Sequence, residues 1–314
     1  PYTIELPNNC DTLTIKRISP VTANTTAPGI DKIHLLGAPS PLGAGTYHAT
    51  SDEIRPFFVG RNADLVNLSA IDENSVRILD NDSGTGGLSI PLASDITRVV
   101  VYRYNTTARA PIGIVTTGCT YTINPSGTSP AYITATGGIN DWGHPIVIDI
   151  TQSGACTLRL TRDRNSALDA PAIEQIVLLR NEPDLTQGLY QEYHTGLALS
   201  SGHWDDAAVN HFSAIQSVPS HRLVVSDDAG ASVTFQTPAS QFIITHRAYT
   251  GASDRVQLCV DDSCATYSTQ SASIITQYPV AVFGLNGTNH TVTITNRRTG
   301  AGGVNLFIDN VYVP

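Results

Sequence analysis

The feature that most constrains this chain is an internal repeat of domain size. An acidic residue followed by an alternating apolar run occurs at Asp31, Glu174 and Asp309, which are 143 and 135 residues apart. A second marker, a Thr-initiated apolar run upstream of each acid, gives spacings of 145 and 134 residues. A solenoid unit is only about 20–50 residues long, so each repeat is expected to fold as a domain.

The markers divide the chain into two full repeats and part of another. Residues 1–36 carry the last strands of a repeat whose front is missing, residues 37–182 form the first full repeat and residues 183–314 the second. Apolar residues alternate with period two, as at Phe242 and Ile244, and Gly- and Asn-rich breaks separate the runs. This pattern predicts an all-β fold of tandem antiparallel β-sandwich (jelly-roll) domains with an incomplete N-terminal repeat.

Composition limits the partners. Only 14% of the residues are charged and the net charge is −9, which argues against binding of nucleic acid because no basic patch is present to meet phosphates. No run of apolar residues reaches the about 18 needed for a membrane-spanning helix. The chain contains no methionine, and removal of a secretion signal would explain the missing initiator.

The five cysteines favour an oxidising compartment. Cys259 and Cys264 flank an Asp-Asp-Ser turn between two strand-like runs, which predicts a disulfide across a hairpin. Cys119 and Cys156 are a second candidate pair, and Cys10 is then left without a partner. The alternative is a set of free buried thiols in a cytosolic protein.

Six Asn-x-Ser/Thr sequons are candidate glycosylation sites and are compatible with an extracellular surface. They lie at Asn24, Asn67, Asn81, Asn105, Asn286 and Asn289.

Three runs of the second repeat carry a family resemblance. They begin at Gly230 (GASVTF), Gly287 (GTNHTVTI) and Phe307 (FIDNVYV). Their succession resembles the jelly-roll modules of the galactose-binding-like and carbohydrate-binding-module type, which occur in tandem in bacterial surface proteins. The resemblance covers about 125 residues and says little about the ligand, because such folds host many functions.

The resemblance also implies a site for one structural Ca²⁺ beside the final strand. On this analogy Asp309, and less directly Glu174, are metal ligands. The alternative is that both acids lie on the solvent face of the last strand. No other cofactor is expected.

The sequence gives no support to an enzymatic function. It contains no Gly-x-Ser-x-Gly elbow and no phosphate-binding glycine loop followed by lysine. Binding of a glycan requires exposed aromatic rings that stack on sugar faces, and the best candidates are Trp142, Tyr190 and Tyr193.

The incomplete N-terminal repeat suggests self-association. Its strands would expose Ile4, Leu6, Leu13 and Ile15 together with the odd Cys10, a face that invites pairing with another chain. The leading hypothesis is therefore a structural extracellular protein, a subunit of a cell-surface filament, sheath or layer assembled through its repeats. The alternative is a carbohydrate-binding or adhesive module pair of a larger secreted protein.

Overall fold

The described part of the chain is almost entirely β-strand. The computed structural model describes residues 2–3, 40–61, 63–66, 75–78, 87–103, 109–123, 129–134, 146–163, 165–191, 193–200, 224–226, 228–299 and 305–314. Over these residues the named strands pair antiparallel, and the helical content is a short 3-10 turn at Arg55–Phe57. The predicted all-β sandwich fold is confirmed. None of the described helical segments is long or apolar enough to cross a bilayer.

In the first repeat, the long strand β10 belongs to both layers of the sandwich. The described strands up to residue 182 are β1 (Tyr2–Thr3), β2 (Gly45–His48), β3 (Phe58–Arg61), β4 (Ala63–Val66), β5 (Ser75–Ile78), β6 (Gly87–Leu92), β7 (Ile96–Arg103), β8 (Ile112–Ile123), β9 (Tyr132–Ile133), β10 (Ile146–Arg162) and β11 (Ala172–Arg180). The first half of β10 pairs with β7 and its second half with β6, while β8 pairs with both halves. One layer therefore has the order β2-β11-β7-β10, and the other has the order β1-β3-β6-β10.

The passage from one layer to the other occurs at a bulge in β10. The register with β8 shifts between Gln152 and Thr157, and the Cys119–Cys156 disulfide joins the two strands there. Gly118 has a φ of +79°, and a side chain at this position would collide with the carbonyl oxygen of Ala155. The bulge therefore needs glycine to bring β8 this close.

In the second repeat two separate strands take the place of β10. Its described strands are β12 (Gly188–Gln191), β13 (Ala198–Leu199), β14 (Val224–Ser226), β15 (Ser232–Thr237), β16 (Gln241–Ala248), β17 (Val256–Val260), β18 (Ser263–Tyr267), β19 (Ile275–Phe283), β20 (His290–Asn296), β21 (Leu306–Ile308) and β22 (Asn310–Val313). One layer has the order β12-β22-β16-β19 and the other β13-β15-β20-β17-β18; β14 pairs with β21. Here β19 lies in the first layer and β20 in the second.

Each repeat has its own hydrophobic core, and the second core extends onto the outside of the first repeat. Val99 and Val101 of β7 belong to the first core. Val100 and Tyr102, which alternate with them and point the opposite way, belong with Val147 to the second core. The β7 sheet is therefore buried on both faces.

The start of the chain adds to the edge of the first repeat. Tyr2 and Thr3 pair with β3 through Arg61 and Gly60 of the same chain. The rest of the predicted docking segment, with Ile4, Leu6, Cys10, Leu13 and Ile15, lies outside the described residues. A role for that segment in assembly stays a prediction, as do the boundaries of the three regions.

Candidate functional site

A shallow, open depression lies where three neighbouring strands of the second repeat end together. Its volume is about 430 Å³, and its lining residues are Asp254, Arg255, Thr266, Tyr267 and Thr299. β17 pairs with β18 on one side and with β20 on the other, which aligns Val256 with Tyr267 and with Asn296. Residues just before β17, at the end of β18 and just after β20 therefore meet at one edge of the sheet.

The Asp254 carboxylate is held in a fixed orientation by Thr299. The Thr299 hydroxyl donates to Oδ2 at 2.5 Å and the Thr299 amide donates to Oδ1 at 3.2 Å. These two hydrogen bonds hold the pKa of the Asp254 carboxyl below its usual value, so the carboxylate stays ionised. The neighbouring Arg255 is exposed. An oriented acceptor and a planar cationic donor thus stand side by side.

Tyr267 is fixed from below by a buried histidine. His246 is fully buried, its Nδ1 lies 2.7 Å from the Phe307 carbonyl oxygen, and its Nε2 lies 2.7 Å from the Tyr267 hydroxyl. A carbonyl only accepts, so Nδ1 carries the proton and the Tyr267 hydroxyl donates to Nε2. Burial lowers the pKa of His246 to about 4 and raises the pKa of Tyr267. The neutral pair anchors the ring that lines the depression.

The floor beneath the depression is a buried polar network. Ser253 and Asn296 are both fully buried, and the Ser253 hydroxyl lies 2.8 Å from Asn296 Oδ1. The Thr269 hydroxyl donates to the Ser253 carbonyl oxygen at 3.2 Å. Satisfied buried networks of this kind favour a single conformation, so the lining residues are held in place before any ligand arrives.

The prediction that Tyr190 and Tyr193 stack on a sugar is wrong. Tyr190 and Tyr193 are each only 7% exposed and belong to the second core. The Tyr190 hydroxyl accepts from the Thr186 amide and lies 3.3 Å from the Gln187 carbonyl oxygen, so this polar end is also satisfied inside the protein. Neither ring face is available to a sugar. The third candidate, Trp142, lies outside the described residues.

The structure contains both proposed disulfides. Cys119 is bonded to Cys156, and Cys259 is bonded to Cys264 directly across the β17–β18 hairpin.

Two of the sequons fall on described residues. Asn286 and Asn289 are both exposed. Asn286 Oδ1 accepts from the Thr288 hydroxyl, whereas the Asn289 amide donates to Asp184 and Gln236. The sequons at Asn24, Asn67, Asn81 and Asn105 lie outside the described residues, and glycosylation stays a prediction.

The two acids proposed as metal ligands are buried. Asp309 is 1% and Glu174 7% exposed, so the alternative that they lie on a solvent face is wrong. The Asn310 side-chain amide donates to Asp309 Oδ2 at 3.0 Å. In the part of the chain that the structure describes, no group of three or more His, Cys, Asp or Glu side chains is placed to hold a metal ion. A structural Ca²⁺ stays a prediction.

The structure also brings together an aspartate and a histidine that sequence reasoning missed. Asp261, the first residue of the β17–β18 turn, has a φ of +50°. Its carboxylate lies 2.7 Å from His290 Nδ1 and accepts from the Thr291 amide, which lowers the pKa of Asp261. His290 Nε2 is buried and has no hydrogen-bond partner among the described residues. The pair therefore holds the turn against β20.

Comparisons with known proteins give fold-level similarity at low superposition scores. No protein-family model matches the chain, and no curated protein matches it in sequence. A xanthan lyase from Paenibacillus superposes with a TM-score of 0.31 and 15% identity over 88% of this chain, which spans 27% of the length of that protein.

Two further structures match over most of their own length. The N-terminal CBM22 tandem domain of Xyn10C from Paenibacillus barcinonensis gives a TM-score of 0.27 and 9% identity over 88% of this chain and 99% of that domain. The ANXUR1 extracellular domain from Arabidopsis thaliana gives 0.28 and 10% over 83% of this chain and 91% of that domain. Superpositions at this level assign neither a family nor an activity.

Proposed function

We propose that this chain is a non-catalytic, extracellular ligand-binding protein whose second repeat binds a carbohydrate at the depression between Asp254 and Tyr267. The observation that carries the proposal is the combination of an oriented carboxylate, an exposed guanidinium, two hydroxyl-bearing threonines and an aromatic ring around one open depression. Sugar hydroxyls pair with planar polar groups, and sugar faces stack on aromatic rings. The two disulfides favour a protein that resides outside the cytosol.

The depression suits binding better than catalysis. Asp254 is the acid of the lining, and it is kept ionised, so it accepts hydrogen bonds and does not supply a proton. Arg255 presents donors in a planar fork that matches either a pair of hydroxyls or the carboxylate of an acidic sugar. An open shape accommodates a chain that continues beyond the contacted residue.

A glycan array with the whole chain tests the proposal, with neutral and uronic-acid-containing oligosaccharides as separate arms. Arg255→Ala and Asp254→Asn should each weaken saturable binding at least about tenfold, the loss expected for one charge-assisted hydrogen bond. Arg297→Ala is the matched control, because Arg297 is also an exposed arginine but donates to Gln257 and does not line the depression. Absence of saturable binding in both arms, or binding that is indifferent to Arg255→Ala and Asp254→Asn, would overturn the proposal.

A further inference from the structure

The two repeats contain corresponding sheets, which permits a residue-by-residue comparison of their outer faces. The order β2-β11-β7-β10 in the first repeat matches β12-β22-β16-β19 in the second. A backbone hydrogen bond at the corresponding position precedes each sheet. The Leu42 amide donates to the Pro91 carbonyl oxygen in the first repeat, and the Leu185 amide donates to the Gln236 carbonyl oxygen in the second.

The outer face of the first-repeat sheet β2-β11-β7-β10, called the first sheet below, is covered by the start of the second repeat. Val100, Tyr102 and Val147 on this face are buried in one cluster with Leu185 and Leu197. The covering segment is also held by polar contacts. Arg98 Nη1 donates to the carbonyl oxygens of Tyr193 and His194 at 3.0 and 3.2 Å, and Arg98 Nε donates to Asp149 Oδ1 at 2.6 Å.

The corresponding face of the second-repeat sheet β12-β22-β16-β19, called the second sheet below, has an exposed apolar centre with Gln241 and Thr245 beside it. We call it the open face and define it by Leu189, Ile243, Ala281, Phe283 and Tyr312. Leu189 pairs with Tyr312, Tyr312 with Ile243, and Ile243 with Ala281, which forms one row across all four strands. Leu189, Phe283 and Tyr312 are 57%, 71% and 43% exposed.

The open face lacks the ion pair of its counterpart. Arg98 pairs with Asp149 in the first sheet, and the corresponding pair in the second sheet is Ile243 with Ala281. The five residues that define the face carry no charge, although the whole chain has a net charge of −9. Such a face can lie against an identical face without placing like charges opposite each other.

We propose that the open face binds the open face of a second copy of this chain, in a two-fold symmetric dimer of stacked sheets. Four strands about 4.8 Å apart and about six residues long give a face of roughly 19 by 20 Å. The area buried in total is then about 760 Å², below the about 1,200 Å² of stable specific interfaces, so we expect a weak, reversible dimer with a dissociation constant of about 10–100 µM. The depression at Asp254 lies at the edge of the other sheet, so the dimer presents two such sites.

Sedimentation velocity from about 5 to 500 µM tests the dimer, since this range brackets the expected dissociation constant. The whole chain should shift reversibly from monomer to dimer, and Phe283→Asp and Tyr312→Asp should each raise the dissociation constant at least about tenfold. Both side chains are exposed, so neither variant should shift the thermal unfolding midpoint of the monomer appreciably. Tyr132→Asp is the matched control: Tyr132 is 49% exposed on β9 of the first repeat, and its replacement adds the same charge.

Crosslinking distinguishes this dimer from a head-to-tail contact. In a Cys10→Ser background, Tyr312→Cys should form a disulfide-linked dimer on mild oxidation, because a residue near a two-fold axis meets its own copy. Tyr132→Cys in the same background should not. A chain that stays monomeric throughout the concentration range, or a dimer that Phe283→Asp and Tyr312→Asp leave unchanged, would overturn the proposal. A dimer that resists crosslinking through Tyr312→Cys would overturn its symmetry.

Discussion

Both repeats pack two β-sheet layers against each other, but the strands that connect the layers differ. In the first repeat one strand, β10, continues through both layers, and a disulfide closes the bulge where it crosses. In the second repeat β19 and β20 are separate, and the disulfide spans only the β17–β18 hairpin. The first sheet is buried on both faces, whereas the second leaves one face open. Similar sequence patterns thus give units that differ in how firmly their layers are joined.

The largest expected difference concerns the disulfides. Replacing both Cys119 and Cys156 by alanine releases a crosslink between residues 37 apart in sequence, and replacing Cys259 and Cys264 releases one between residues 5 apart. The chain-entropy model gives losses of about 4 and 2 kcal/mol, respectively. Urea unfolding of the two double variants measures both losses. Equal losses would contradict the structural role given to the β10 crossing.

The next largest expected difference is in acid stability: a fall in pH should destabilise the second repeat before the first. The pKa of His246 is about 4 when folded, against an ordinary value of 6.5, so the unfolded chain binds a proton that the folded chain does not. The contribution of neutral His246 to the free energy of unfolding is complete above pH 6.5. About 3 kcal/mol of it is lost progressively as the pH falls toward 4. The corresponding residue of the first repeat is Val101, which does not titrate.

Hydrogen exchange between pH 7 and 4 checks the acid prediction. Amide protection should fall first around Phe242 and Ile244, while Val99 and Val101 keep theirs. The His246→Asn variant, which has no titrating ring, should lower stability at pH 7 and lose the acid-dependent step. Simultaneous loss of protection in both repeats would be evidence against His246 as the cause.

The covered face of the first sheet depends on Arg98. Arg98→Met keeps the aliphatic stem but removes the donors to Asp149 and to the carbonyl oxygens of Tyr193 and His194. We expect a loss of about 2–3 kcal/mol and faster proteolysis between the repeats, because three part-buried acceptors lose their donor. Ile243→Met, at the corresponding position of the open face, is the control and should cost less than about 1 kcal/mol.

Two glycines with similar dihedral angles should respond differently to alanine. Gly118 has a φ of +79° and a neighbouring carbonyl in the way, whereas Gly287 has a φ of +73° and open space around it. Gly118→Ala is expected to cost about 2 kcal/mol and Gly287→Ala about 1 kcal/mol. Thermal unfolding of the two variants measures the difference. Equal costs would mean that the bulge can relax away from β8.

Local sequence patterns predicted the strands well because alternation is a local property. Phe242, Ile244 and the buried His246 alternate as expected, and the Asp-Asp-Ser turn correctly predicted the Cys259–Cys264 hairpin disulfide. The error at Tyr190 has a physical reason. Period two shows that Leu189 and Tyr190 face opposite ways, but it does not show which of them faces the core.

Local sequence patterns could not predict the depression. Asp254 and Thr299 are 45 residues apart, and neither belongs to a recognisable motif. They meet because β20 pairs with β17, a long-range contact that no local pattern encodes. The available signal was the hairpin register: extending it from the disulfide to Val256 and Tyr267 would have placed residues 254 and 267 at one edge.

The crossing strand β10 also determines how the molecule responds to tension. Separating the layers of the first repeat requires breaking the pairings of one continuous strand, which the Cys119–Cys156 bond clamps to β8. In the second repeat no single strand belongs to both layers among the described residues, and β19 and β20 are joined by the turn between Phe283 and His290. When the chain is pulled from its ends, we expect the first repeat to be the stiffer unit, because one disulfide-clamped strand joins both of its layers.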